Sequence, residues 1–94
     1  MSKTTLAAIC LAFMVAGCAS GPGDRALVTG AGEEMLKLRY GPSLNYKVKM
    51  GLPDGTALIR HDCVTELGQR WCRVSLAEGP GVTGYVSADY LTSP

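Results

Sequence analysis

Cysteine is the residue type with the most varied chemistry in this 94-residue chain, and its four copies fall into two groups. Cys10 and Cys18 lie near the N-terminus, and Cys63 and Cys72 lie close together in the C-terminal half. A thiol can carry a covalent modification, ligate a metal or form a disulfide. The chain has one histidine, His61, and no nucleophile beside a base in a catalytic motif. We therefore expect no enzymatic activity.

The sequence before Cys18 predicts a segment that is removed. Lys3 supplies a positive start, and Leu6 to Ala16 is an uninterrupted apolar run of eleven residues. That run is too short for a membrane span, which needs about 20 residues, and fits the roughly 7–15 apolar residues of a secretory signal. Val15-Ala16-Gly17-Cys18 resembles the bacterial lipobox, an apolar residue and two small residues before a cysteine. The resemblance implies cleavage after residue 17, loss of Cys10, and lipidation of Cys18.

The residue after the lipidated cysteine indicates which membrane holds the protein. Gram-negative lipoproteins kept in the inner membrane tend to carry aspartate there, whereas this chain has Ala19. The resemblance therefore implies anchoring in the outer membrane, facing the periplasm. Several acyl chains make a stable anchor because each buried CH₂ contributes roughly 0.8 kcal/mol.

Processing would leave residues 18–94, with eight basic and eight acidic side chains. No basic stripe is present, so nucleic acid is not an expected partner. Residues 18–32 are predicted to be the lipidated cysteine and a flexible tether, because Ser20 to Asp24 and Gly30 to Gly32 are glycine-rich. Fully extended, the fourteen residues after Cys18 would reach about 46–50 Å. Only Ala26-Leu27-Val28 favours a short strand.

The remaining cysteines are predicted to form a disulfide within a domain over residues 33–94. Ala57 to Val64 and Arg70 to Val74 are strand-like, and Leu67-Gly68 lies midway between them. A turn at Leu67-Gly68 sets Cys63 opposite Cys72, where Cα atoms approach to about 4.5 Å. An exported compartment favours oxidation. Closing a loop of about ten residues stabilises a small domain by roughly 2.5–3 kcal/mol.

Two other uses of these cysteines fit the sequence less well. A redox exchange pair usually has the C-x-x-C spacing, which Cys63 and Cys72 lack. A metal site with His61 would offer three ligands, whereas a structural zinc site has four. We therefore expect neither a metal nor a cofactor.

Turn signals divide the domain into short segments. No segment has a clear 3.6-residue apolar period, so the pattern predicts an all-β fold, a small barrel or sandwich. The expected turns are Gly41-Pro42-Ser43, Pro53-Asp54-Gly55, Leu67-Gly68 and Gly79-Pro80-Gly81.

Four motifs in order resemble the bacterial SH3 (SH3b) family. They are the opening Leu36 to Val48 with its Arg-x-Gly-Pro-Ser, the turn Pro53 to Thr56, the Trp-x-x-Val strand Arg70 to Val74, and the closing Gly84 to Leu91. The resemblance implies a small, strongly bent SH3-like barrel of five to seven strands, with a 3₁₀ turn near Ser87-Ala88-Asp89. The chain departs from the family at Tyr85, where tryptophan is usual, at Tyr40, where a small residue is usual, and in its added cysteine pair.

Strand alternation divides the side chains near the tryptophan. Cys72, Val74 and Leu76 share one face, which we expect to point inward, and Trp71 lies on the other. Trp71 is then exposed or lines a surface groove. The candidate ligand-binding residues are Tyr40, Trp71 and Tyr85, with Tyr46 and Tyr90 as further aromatics. The alternative is that these aromatics only pack the barrel and its rim.

Two functions fit this combination of anchor and domain. The resemblance implies a membrane-anchored binding module for cell-wall peptidoglycan or peptides. The alternative is a structural accessory lipoprotein of a cell-envelope assembly, such as a secretion or conjugation apparatus. The sequence identifies neither the partner nor an interface.

Overall fold

A computed structural model describes residues 23–94 of the chain. The predicted signal peptide and the lipobox with Cys18 lie outside the described residues. Within residues 23–94 the fold is all-β with two short 3₁₀ turns. This part of the chain contains no helix that is long and apolar enough to cross a membrane.

Seven strands form one strongly curled sheet, which confirms the prediction of a small SH3-like fold. In sheet order the strands are β3-β2-β6-β5-β4-β1-β7. The strands are β1 (Asp24–Val28), β2 (Leu36–Arg39), β3 (Val48–Leu52), β4 (Ala57–Glu66), β5 (Gln69–Leu76), β6 (Gly79–Ser87) and β7 (Leu91–Thr92). The 3₁₀ turns cover Gly32–Glu34 and Ala88–Tyr90, the second one residue later than expected.

The hairpin of β4 and β5 has the predicted register. Leu67 and Gly68 form its turn with φ of 52° and 81°, and Glu66 lies opposite Gln69. Cys63 therefore lies opposite Cys72, with their Cα atoms 3.9 Å apart, and the two form a disulfide. The predicted cross-link is confirmed.

The core follows strand alternation. Leu36 and Leu38 of β2 point inward, and Cys72 and Val74 of β5 join them as predicted. Leu76 packs against this core and is half-buried. The other buried members are Val28, Leu52, Leu58 and Val86. One face of β5 therefore belongs to the core. The opposite face, which carries Trp71, is not part of this core.

The prediction of a flexible tether over residues 18–32 is wrong for residues 24–32, because they are part of the domain. β1 pairs with both β4 and β7, and buries Ala26 and Val28. A salt bridge of 2.5 Å between Asp24 and Arg60 holds the start of β1. The hydrogen bond that the Arg60 side chain donates in this pair lowers the pKa of the Asp24 carboxyl. Only residues 19–23 then separate Cys18 from β1, a reach of at most about 18 Å.

The prediction of a turn at Gly79-Pro80-Gly81 is also wrong. The turn begins two residues earlier, at Ala77 and Glu78, and residues 79–81 begin β6. The register jumps here, because Leu76 pairs with Gly79 whereas Ser75 pairs with Thr83. The glycine and proline residues mark a bulge in the strand, which their backbone properties also favour.

The disulfide leads to a stability prediction. Replacing both cysteines, Cys63→Ala with Cys72→Ala, should lower the free energy of unfolding by about 2–3 kcal/mol, because the unfolded chain regains the freedom of the closed loop. Urea unfolding of residues 18–94 measures this loss. Chemical reduction of the wild type is the matched control, since it opens the cross-link and leaves both side chains in place. Two reactive thiols at these positions in exported protein would contradict the prediction.

Candidate ligand groove

Trp71 is buried, so of its two predicted placements full exposure is wrong and a position in a surface groove is confirmed. Its exposed fraction is 5%, although it lies on the face of β5 opposite the core residue Cys72, as predicted. Leu44 of the β2–β3 loop and Tyr90 of the second 3₁₀ turn line the same surface depression. Trp71 is therefore part of the floor of a groove between these two elements.

The groove consists of two adjoining cavities of about 370 and 480 Å³. Both are lined by Leu44, Trp71, Ser87 and Tyr90. The cavity of 370 Å³ is further lined by residues between Gly30 and Arg39, and we call it the N-terminal half. The larger cavity has Glu66 and Asp89 in its lining, and we call it the acidic half. Each is within the size range of small-ligand sites.

The other predicted aromatics lie in different places. Tyr40 is 61% exposed and outside the groove lining, with Lys49 Nζ 4.8 Å from its ring centroid. Tyr85 is half-buried in β6, in register with Arg39 and Arg73, and also lies outside the lining. The structure thus brings Trp71 and Tyr90 together in the groove, whereas Tyr40 and Tyr85 lie outside its lining. The role of those two in binding stays a prediction.

An arginine clamp holds the loop that carries Leu44. Arg39 Nη1 donates to the carbonyl oxygens of Leu44, at 3.4 Å, and Tyr46, at 3.0 Å. The Tyr46 ring lies against Gly41, where an added Cβ would be 2.5 Å from a ring carbon. Gly41 is therefore required for space, and not for a left-handed backbone. These contacts fix one wall of the groove.

Asp54 fixes the opposite end of the N-terminal half. Its two carboxylate oxygens accept from the backbone N–H of Ala31, at 2.9 Å, and of Gly32, at 3.1 Å. Ala31 lines the groove beside Gly30. Asp54 lies in the predicted turn after Pro53. Its carboxylate thus connects a groove wall to the β3–β4 connection and has a structural role.

A hydrogen-bonded chain builds the acidic half. Gln69 Nε2 donates to Ser87 Oγ at 3.0 Å, and the backbone N–H of Asp89 donates to the same oxygen at 3.4 Å. The tip of the β4–β5 hairpin is thereby joined to the second 3₁₀ turn. These contacts leave the Asp89 carboxylate outside the chain of hydrogen bonds, on the exposed rim of the groove.

The hairpin tip also presents an exposed leucine. Leu67 is 97% exposed, lines the acidic half, and has a left-handed backbone with φ of 52°. Asparagine and glycine are the usual residues in such turns, because a left-handed backbone costs a residue such as leucine roughly 1–2 kcal/mol. Neither Leu67 nor Leu44 is among the site residues predicted from the sequence. The leucine before Gly68 was the available signal, since apolar residues are unfavourable there.

The alternative metal site is not formed. Cys63 and Cys72 are joined to each other, and His61 Nε2 lies 2.8 Å from Ser75 Oγ. Across residues 23–94 no three histidine, cysteine or carboxylate side chains are grouped to hold a metal ion.

Comparison with known proteins identifies one family. The family model described as "Bacterial SH3 domain" matches residues 35–92, which contain the groove except for its edge at Gly30, Ala31 and Glu34. No curated protein matches the chain significantly. No solved structure does either.

The arginine clamp leads to a prediction about loop rigidity. Arg39→Met removes both hydrogen bonds of Nη1 but keeps most of the aliphatic stem, so the loop should loosen while the domain stays folded. Losing about 1.4 kcal/mol of hydrogen bonding would speed amide exchange of Asn45 to Lys47 about tenfold. Lys37→Met is the matched control, because Lys37 donates to the carbonyls of Glu34 and Met35 instead. Equal exchange in the two variants would contradict the clamp.

Proposed function

Because the chain belongs to the bacterial SH3 family, we propose that it is a membrane-anchored periplasmic binding module whose groove over Trp71 takes a peptide of cell-wall peptidoglycan. Bacterial SH3 domains are general binding modules, often for peptidoglycan. The groove supplies what binding requires: a buried aromatic floor, apolar side chains and walls held by hydrogen bonds. Walls that are already ordered lower the entropic cost of binding.

The single observation that carries the proposal is Leu67. A leucine that is 97% exposed buries almost no surface in the folded domain, and its left-handed backbone is unfavourable. Folding therefore gains little from it. Its place on the rim of the acidic half supports a role in contacting a ligand, since local strain is often kept where it serves function.

The lipobox-like Val15-Ala16-Gly17-Cys18 supports the anchor. β1 begins at Asp24, so a linker of five residues follows the lipidated cysteine. A domain on such a linker stays close to the membrane surface, and its groove meets ligands presented there. The proposed ligand is therefore the membrane-proximal part of the wall.

The alternative function, an accessory lipoprotein of an envelope assembly, is favoured by a different surface. β3 is an edge strand of the described sheet, and Val48 and Met50 on it are 44% and 40% exposed. An edge strand with exposed apolar side chains can pair with a strand of another protein. Co-purification of an envelope protein that depends on these two side chains, without retention on isolated wall, would support this alternative.

Leu67→Asn separates binding from stability. Asparagine accepts the left-handed backbone, so the free energy of unfolding should rise by about 0.5–1 kcal/mol. Retention on isolated peptidoglycan should fall at least about fivefold, since the ligand loses an apolar contact. Val82→Asn changes an exposed apolar residue outside the groove lining and should leave retention unchanged. A more stable Leu67→Asn variant with undiminished retention would contradict the groove.

Cys18→Ser tests the anchor. Without the thiol the chain should carry no diacylglycerol, and in cells it should no longer partition into the detergent phase. The matched control is Cys10→Ser, which changes a cysteine in the segment to be removed and should leave partitioning intact. Mass spectrometry that finds an unmodified Cys18 in the native protein would overturn lipidation.

A further inference from the structure

We infer that the peptide bound in the groove carries a primary ammonium group, held in the acidic half, beside a carbonyl that accepts a hydrogen bond from the Trp71 indole. This inference rests on the proposed function and specifies its ligand. It follows from three observations: two carboxylates without salt-bridge partners, one buried donor without an acceptor, and an apolar rim on the same cavity.

The first observation is the charge of the acidic half. Glu66 and Asp89 come from different elements, the end of β4 and the second 3₁₀ turn, and both are exposed on the groove lining. Among residues 23–94 neither makes a salt bridge, whereas Asp24 and Asp62 are paired with Arg60 and Arg73. The lining of this half contains no lysine or arginine. A cationic ligand group therefore finds charge complementarity here.

The basic side chains of the groove already make hydrogen bonds within the domain. Lys37 and Arg39 line the N-terminal half, and each donates to two backbone carbonyls of its own chain. They are not available to neutralise the carboxylates at the other end. Glu34 also lines the N-terminal half, so that half carries two basic side chains and one acidic one, whereas the acidic half carries two acidic side chains and no basic one. This difference in charge gives a bound peptide a preferred direction.

The second observation is the indole N–H of Trp71. Trp71 is 5% exposed and lines both halves, and its N–H has no hydrogen-bond acceptor among residues 23–94. A buried donor without a partner is unfavourable, and buried indole groups normally find one. Trp71 lines the groove, so a ligand group that enters the groove can supply the acceptor. A peptide carbonyl has the required chemistry.

The third observation decides which cation fits. Leu44 and Leu67 are 74% and 97% exposed, and with Tyr90 they form the apolar rim of the acidic half. An aliphatic stem packs on such a rim while its charged end reaches the carboxylates. An ammonium has three donors that can be shared between acceptors from separate elements, whereas the planar guanidinium suits one carboxylate in bidentate geometry.

Binding is measured by the fluorescence of Trp71, the only tryptophan of the chain. The probe is a synthetic wall-type pentapeptide with an acetylated N-terminus, Ala-γ-Glu-Lys-Ala-Ala with the D-residues of the wall, so that its lysine carries the one primary ammonium. Its partner is the same peptide acetylated also at the lysine Nε. An all-L peptide with ordinary α-linkages forms a third arm, which distinguishes a wall peptide from a protein lysine as the source of the ammonium. Residues 18–94 with Cys18→Ser serve as the protein.

Acetylation should weaken binding to the wild type about fivefold, the scale expected for exposed ion pairs. Glu66→Gln with Asp89→Asn should weaken binding of the free-amine peptide by a similar factor. If the ammonium contacts these carboxylates, acetylation should cost almost nothing in this double variant, because the two changes remove the same interaction. Glu78→Gln, in the β5–β6 turn and outside the groove, is the matched charge control and should keep the full acetylation effect.

Trp71→Phe tests the carbonyl contact. Phenylalanine keeps an aromatic floor and removes the donor, so affinity, measured for this variant by calorimetry, should fall roughly two- to tenfold while the variant remains folded by circular dichroism. If Trp71→Phe does not fold, the acetylation cycle with the carboxylate variant still decides the ammonium contact.

Each outcome separates the inference from the proposed function. Wild type that binds both pentapeptides equally, or an acetylation effect that persists in the carboxylate variant, overturns the ammonium while a groove ligand remains. Failure to bind any pentapeptide, together with unchanged wall retention in Leu67→Asn, overturns both. Tighter binding of the all-L peptide supports the ammonium and points to a protein partner.

Discussion

The antiparallel register of β4 and β5, with Cys63 opposite Cys72, is the constraint on which the rest of the structure depends. Because side chains alternate along a strand, this register sends Cys72 and Val74 into the core and Trp71 to the other face. A slip of one residue would exchange the two sets. The disulfide and the turn at Leu67-Gly68 both oppose such a slip. The same strand can therefore serve the core and the groove.

The groove is built from elements that are distant in the sequence and is held by hydrogen bonds rather than by a large core. Arg39 holds the β2–β3 loop, Asp54 holds the segment at Ala31, and Ser87 joins the hairpin tip to the second 3₁₀ turn. Each contact connects one wall to a strand, or to the turn between two strands, that the core already fixes. A small domain can in this way present an ordered site with few residues, since the walls need no packing layer of their own.

The incorporation of β1 into the sheet connects the fold with its proposed location. β1 extends the sheet beyond β4 and covers the core with Ala26 and Val28. It also shortens the path from Cys18 to the domain, so a lipid at Cys18 would hold the groove near the bilayer rather than on a long tether. A domain in that position searches a thin layer, where the effective concentration of nearby ligands is high.

The sequence by itself determined the elements whose causes are local. Strand alternation placed Leu36, Leu38 and Cys72 inward, turn residues marked Leu67-Gly68 and the Pro53 turn, and counting outward from Leu67-Gly68 paired the cysteines. The SH3-like motifs identified the family and the bent barrel.

Only the tertiary structure decided the fate of residues whose partners are far along the chain. Strand alternation placed Trp71 on the face away from the core, but its position in a groove involves Leu44 and Tyr90, which lie 27 residues before it and 19 after it. The glycines around β1 suggested a tether because the strand partners of β1, in β4 and β7, are 30 or more residues away. Local pattern records the propensity of a segment and the side chains that it offers, whereas burial and charge pairing depend on which distant segments pack against it.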